Sequence, residues 1–186
     1  AAGLAVLSRP IVALIFEYGR FTAFDTVQTG DALAAYSIGL AGYAAVKVLS
    51  PAFYALGNAR TPMLISLGSI AVNYVMNSLL VGPFGHVGLA FSTSTVALAN
   101  FILLGLFMRR RIGRLDGSRL GMTLLRICAA SILMAAAAWL GSEFCASLPL
   151  AGITHKLVRV SVSMTLAAVV FYMACRMLHV EELEEA

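Results

Sequence analysis

"ALAAYSIGLAGYAAVKVLSPAFYALGNARTP" occupies Ala32 to Pro62, and its reading decides the fold. No charge appears from Ala32 to Ala45, about four turns of helix. The run from Leu33 to Tyr54 matches the ~20 helical residues that cross a bilayer core of ~30 Å. Gly57 is placed as a helix stop, and Thr61-Pro62 offers an N-cap with proline at the first helical position, where its missing N–H costs nothing. The stretch therefore predicts one membrane helix ending near Gly57 and another beginning at Thr61. Inside the first, Pro51 lacks the N–H that would bond the carbonyl of Lys47, so a bare acceptor and a kink are expected there. Lys47 itself lies ~9 Å inside the end of its span.

The surrounding chain has the same character. Of 186 residues, 60% are hydrophobic and 12% charged, with mean hydropathy +0.90, whereas soluble domains run near 45 to 50% apolar and about 25% charged. The 13 Lys and Arg exceed the 9 Asp and Glu, but they lie between apolar runs instead of gathering on a soluble face. A nucleic-acid partner is not indicated. Cys128, Cys145 and Cys175 are solitary; they read as small apolar packing residues, not as a zinc site or disulfide framework. His86, His155 and His179 stand in three separate places. With no Ser/His/Asp, HExxH or phosphate-loop pattern, no enzyme is expected.

Four further runs reach spanning length: Met63 to Val81, Val87 to Met108, Met122 to Leu140 and Leu157 to Leu178. The first run, Ala1 to Phe16, is interrupted by Ser8, Arg9 and Pro10. It lacks the basic start and cleavage site of a signal peptide and looks like the end of a helix, which suggests a C-terminal fragment of a longer protein. About six spans and an all-α polytopic membrane bundle follow. Asp25 with Gln28 forms a capping-box-like start near Thr26, and Gly82-Pro83-Phe84-Gly85 makes a tight turn. Five arginines lie between Arg109 and Arg119. Placing that loop in the cytoplasm puts Arg60 inside, puts Glu17 to Asp25, Gly82 to His86 and Gly141 to Lys156 outside, and leaves the acidic tail Glu181 to Glu185 cytoplasmic.

At this point the residues resemble a known family. "PIVALIFEYGRFTAFDT" (Pro10 to Thr26), then "VKVLSPAFYALGNARTP" (Val46 to Pro62) and "GPFGHVGLA" (Gly82 to Ala90) are similar, in order and spacing, to the MurJ (MviN) lipid II flippases of the MOP transporter superfamily. The resemblance implies fourteen helices, two six-helix lobes around a cavity plus two helices that form a lipid-facing groove. Residues 1–112 would hold part of the second lobe (a truncated helix 9 and helices 10 to 12), and 113–186 the two extra helices with a short acidic tail. It further implies a multi-pass protein of the bacterial inner membrane that moves lipid II, the undecaprenyl-diphosphate-linked peptidoglycan precursor, to the outer leaflet for cell-wall synthesis. Partners would be lipid II and membrane lipids, with cell-wall synthesis proteins left open. Other superfamily transporters, exporting lipid-linked oligosaccharides or drugs, and a non-transporting scaffold are the alternatives. The family's cavity arginines lie upstream of Ala1.

Three groups become site candidates. Lys47, Ser50 and Pro51 would face the substrate cavity, where the ammonium attracts the diphosphate; the alternative is a lysine that snorkels to the interface. Asn73 and Asn77 share a helix face, and with Thr93 their oxygens suit a hard cation such as Na⁺. In the family pattern the second position is acidic, whereas here it is Asn77; interhelical hydrogen bonding is the other reading. Energy would come from Na⁺ or the membrane potential, with no organic cofactor. The small residues of "AASILMAAAAWLG" (Ala129 to Gly141), with Ala130, Met134 and Ala137 as representatives, make either a trough for the polyprenyl tail or close helix packing. Arg159 and Arg176 are expected to snorkel to the two headgroup layers.

Overall fold

The computed structural model describes residues 1–112, 117–146 and 152–178, and every regular element among them is a helix. In order these are α1 (Ala2–Val6), α2 (Ser8–Phe16), α3 (Ala23–Ala55), α4 (Arg60–Ile112), α5 (Gly117–Ala146) and α6 (Gly152–Met177). The all-α expectation holds. His179, the acidic residues 181–185 and part of the arginine-rich loop, 113–116, lie outside the described residues.

By length and composition, four helical stretches among the described residues suffice to cross a membrane: Ala23–Ala55, Arg60–Arg111, Gly121–Ala146 and Gly152–Met177. The second contains two of the expected spans, because α4 breaks at Gly85 (φ 55, ψ −135). Its halves lie antiparallel. Gly88 closes on the Leu80 carbonyl, and farther from the turn Leu64, Gly68 and Val72 share an apolar depression with Val96, Ala99 and Leu103. The turn expected at Gly82 to Gly85 is thus made by its last residue. Only glycine takes such a φ/ψ pair freely.

Local chemistry explains the other boundaries, with three shifts from expectation. The first run is kinked, not broken: helical hydrogen bonds from Leu7 N–H to the Gly3 carbonyl and from Ile11 N–H to the Leu7 carbonyl, both 2.9 Å, carry α1 into α2. Pro10 removes only the donor for the Val6 carbonyl. The cap of α3 pairs Asp25 with Thr22, not with Gln28. The Asp25 carboxylate accepts from Thr22 N–H and from its hydroxyl at 2.8 Å, while Asp25 N–H points back at Thr22 Oγ1 at 3.4 Å, a reciprocal box one turn earlier than expected. The cap of α4 belongs to Asn58, whose Oδ1 accepts from Thr61 N–H at 3.3 Å and whose Nδ2 donates to Thr61 Oγ1 at 2.7 Å. Pro62 still falls in the first turn, where it costs nothing. Gly57 does stop α3: at φ +68 it lets Asn58 N–H reach the Phe53 carbonyl (3.0 Å) and its own N–H reach the Tyr54 carbonyl (2.9 Å), a Schellman motif.

The chain forms two compact units, Asp31–Leu115 with Ala1, and Ala2–Gly30 with Asp116–Ala186. In the first, α3 runs parallel to the second half of α4. Ala35 meets Ser94, Gly42 meets Ala97, and Phe53 packs with Leu104 and Met108. A Cβ on Gly39 would stand 2.7 Å from Ser94 Cα, and one on Gly42 would stand 2.9 Å from the Ala97 backbone. In lipid an apolar side chain gains little by leaving acyl tails for protein, so this close backbone approach, together with the Ser94 hydrogen bond, holds the pair.

In the second unit α5 and α6 form an antiparallel hairpin. Ala130 packs with Ala174 and Cys175 at one level, and Gly141 meets Ser163 and Leu166 at another. Leu7 inserts between Ala138 and Ala167, so α1 and α2 lie against this hairpin. The buried Cys145 and Cys175 are packing residues as expected, whereas Cys128 is exposed.

Candidate functional site

Lys47 is exposed, and among the described residues no hydrogen bond or ion pair reaches its side chain. Pro51 stands inside α3 without ending it, so the helix continues past Lys47 to Ala55, a rise of about 12 Å. Ser50 and Pro51 lie one turn nearer that end, Ser50 half-buried and Pro51 exposed. The site thus offers one charge on an apolar helix beside a proline that leaves a carbonyl without its helical donor.

Asn73 and Asn77 do come together, Asn77 Nδ2 donating to Asn73 Oδ1 at 2.9 Å. Thr93 instead donates to the carbonyl of Leu89 on its own helix, 2.8 Å away. Of the hydroxyls that follow Phe91, those of Thr93, Ser94 and Thr95 donate to backbone carbonyls. Among the described residues of this unit, the buried side-chain oxygens left without a partner are Asn77 Oδ1, Ser92 Oγ and Asn100 Oδ1. Buried polar atoms in an apolar medium are costly unless paired, so these three are the places where a further polar group would be most welcome. Among the described residues no cluster of three His, Cys, Asp or Glu could hold a metal.

In the second unit the small-residue run is used for packing along much of its length. Ala130 is fully buried against Ala174 and Cys175, Met134 packs beside Leu7 and Ala138, and Ala137 is half-buried. An open apolar depression of about 710 Å³ lies on α6, lined by Ala168, Val169, Tyr172, Met173, Arg176 and Met177. Arg176 is exposed at its edge, in the manner of a headgroup contact. Arg159 Nε donates to Ser142 Oγ at 2.9 Å, which joins it to α5. Sequence reasoning also missed Glu17 and Lys156, which meet at 3.3 Å. Their only signal was opposite charge in two connections assigned to the same face of the membrane.

Comparison with known proteins follows the same lines. A family model described as lipid II flippase MurJ matches residues 1–163. The probable lipid II flippase of Rickettsia prowazekii is 43% identical over 102 residues, which cover 55% of this chain and 20% of that protein. The lipid II flippase of Burkholderia cenocepacia is 38% identical over 111 residues, 60% of this chain and 22% of that protein. A Synechocystis relative, also a probable lipid II flippase, is 34% identical over 140 residues, 75% of this chain and 26% of that protein. The chain therefore spans about a fifth to a quarter of the curated relatives it matches. A solved structure of a lipid II flippase in an inward closed conformation aligns with TM-score 0.71 over 95% of this chain and 35% of that one; at 23% identity this likeness speaks for the fold.

Proposed function

The chain belongs to the lipid II flippase MurJ family, and from that premise we propose that it works as part of a transporter that carries lipid II across the bacterial inner membrane. The match of the family model over residues 1–163 carries this reading. These residues would supply part of one lobe and the α5–α6 helix pair, with the arginine-rich segment on the cytoplasmic side. The alternating lobes of such transporters rock about a shared site near the bilayer midplane.

In this reading Lys47 contributes a charge to the water-filled route. A charged group is tolerated at membrane depth where it lines a cavity, and its attraction is directed at the diphosphate of the substrate. The depression on α6 suits the polyprenyl tail, because an apolar chain needs only an apolar wall. For the energy source we favour the membrane potential over Na⁺. Asn73, Asn77 and Thr93 offer neutral oxygens alone, and Asn73 Oδ1 already accepts from Asn77; a hard cation is held best by carboxylates. A charge that moves across the full potential gains about 2.3 kcal/mol per 100 mV.

The test is rescue of cells depleted of their own lipid II flippase by the full-length protein. Restored growth with normal cell-wall precursor turnover is expected. Lysis despite normal membrane abundance would overturn the assignment.

A further inference from the structure

One cluster of charged and polar groups is unused by the reading above, and it lies entirely within the unit that joins 2–30 to the α5–α6 hairpin. Lys156, near the start of α6, is engaged three times by the turn that follows α2. Its Nζ stands 3.3 Å from Glu17 Oε1, donates to the Glu17 carbonyl at 3.4 Å and lies 5.4 Å from the centre of the Tyr18 ring. The other carboxylate oxygen of Glu17 accepts from Thr26 Oγ1 at 3.0 Å, and Thr26, in the first turn of α3, is itself buried. Tyr18 is fixed in turn, its hydroxyl donating to the Leu14 carbonyl at 2.7 Å.

We propose that Glu17, Tyr18, Thr26 and Lys156 form a clasp that binds the end of α2, the start of α3 and the start of α6 into one permanently closed body. The lysine brings one positive charge, and the turn meets it with a carboxylate, a carbonyl and a π face. These are the three kinds of partner that an ammonium accepts, and a cation over an aromatic ring adds to the ion pair. Both charges are about a quarter exposed, 27% for Lys156 and 29% for Glu17, so salt screens the pair only in part. The contact is continued below it. Leu7 is buried against Ala138 and Ala167, and a Cβ on Gly30 would stand 2.6 Å from Arg9 Cγ, which leaves no slack between α2 and α3. His155 Nε2, 2.9 Å from the Cys145 carbonyl, holds the neighbouring end of α5 to the same residues of α6. The consequence for transport, that the α5–α6 hairpin travels with α2 as the protein changes state, rests on the flippase reading; the clasp does not.

The experiment uses the full-length protein in nanodiscs. Glu17→Lys and Lys156→Glu, each alone, are expected to lower the melting temperature by several degrees, and the double exchange to recover most of the loss, with the recovery shrinking in high salt. Single variants that melt like the wild type, or a double variant that melts no higher than the singles, would overturn the pairing. Spin labels at the exposed Ile15 and Ile153, introduced as Ile15→Cys and Ile153→Cys after the native cysteines are replaced, then report the distance between α2 and α6. One narrow distance, unchanged by added lipid II and broadened by Lys156→Gln, is expected. A second distance population in the wild-type background, with or without lipid II, would overturn permanent closure. The melting cycle needs no substrate, so failure of the flippase reading leaves it intact.

Discussion

Ser94 Oγ donates to the Ala35 carbonyl at 2.6 Å, across the crossing at which Gly39 brings α3 onto the second half of α4. The hydrogen bond and the glycine contribute unequally. Polar contacts between membrane helices average ~0.6 kcal/mol, and the Ala35 carbonyl keeps its own helical donor. A side chain on Gly39 would meet Ser94 backbone, which cannot rotate away, and overpacking of that kind costs about 1 to 3 kcal/mol.

Gly39→Val is therefore expected to destabilise the full-length protein several times more than Ser94→Ala. Thermal melting in detergent checks the order of the two effects; equal losses would mean that the hydrogen bond, not the close approach, holds this pair.

Gly85 and Gly68 separate backbone strain from crowding. Neither would meet any atom within 4 Å if given a Cβ, yet Gly85 alone has positive φ. Gly85→Ala is expected to cost about 1 to 3 kcal/mol through strain. Gly68→Ala, in regular helix, should gain up to about 1 kcal/mol. Melting temperatures that move in the same direction would contradict this assignment of the turn.

How much of this was legible in the sequence depends on the kind of interaction. The spans were readable because ~20 apolar residues have one economical use, and Gly57 was readable as a stop because positive φ at a helix end selects glycine. Caps were placed a few residues off, at Asp25 and Thr61, because Thr22 and Asn58 compete with them for the same free N–H groups. What the sequence withheld was packing. Membrane helices are apolar on every face, so nothing in the run from Ala129 to Gly141 says that Ala130 turns toward Cys175. Nor does anything say that Leu7 will sit between Ala138 and Ala167. Glu17 and Lys156 are 139 residues apart, and no local pattern joins them.

The sodium question has a direct test. With neutral oxygens only at Asn73, Asn77 and Thr93, the wild-type protein is expected to melt at the same temperature in NaCl and KCl. Asn77→Asp, which places a carboxylate beside Asn73, is expected to melt higher in NaCl, because a ligand that binds only the folded state stabilises it. Protection of the wild type by Na⁺ over K⁺ would return the cation to the mechanism.

Lys47 should behave as a cavity charge. A charged hydrogen bond is worth about 1.5 to 3 kcal/mol, roughly ten- to a hundredfold in rate. Lys47→Gln is thus expected to lose that factor in rescue of flippase-depleted cells, while Lys47→Arg retains part of the activity at equal membrane abundance. Full rescue by Lys47→Gln would leave the residue as an interfacial anchor.

Transport is measured most directly as translocation of lipid II in reconstituted vesicles, read by the access of an external reagent to the headgroup under an imposed membrane potential. The full-length protein is expected to move lipid II well above protein-free vesicles, and residues 1–186 alone to move none, because alternating access needs two lobes. Full-length protein that inserts correctly but leaves lipid II on its original side would contradict the account.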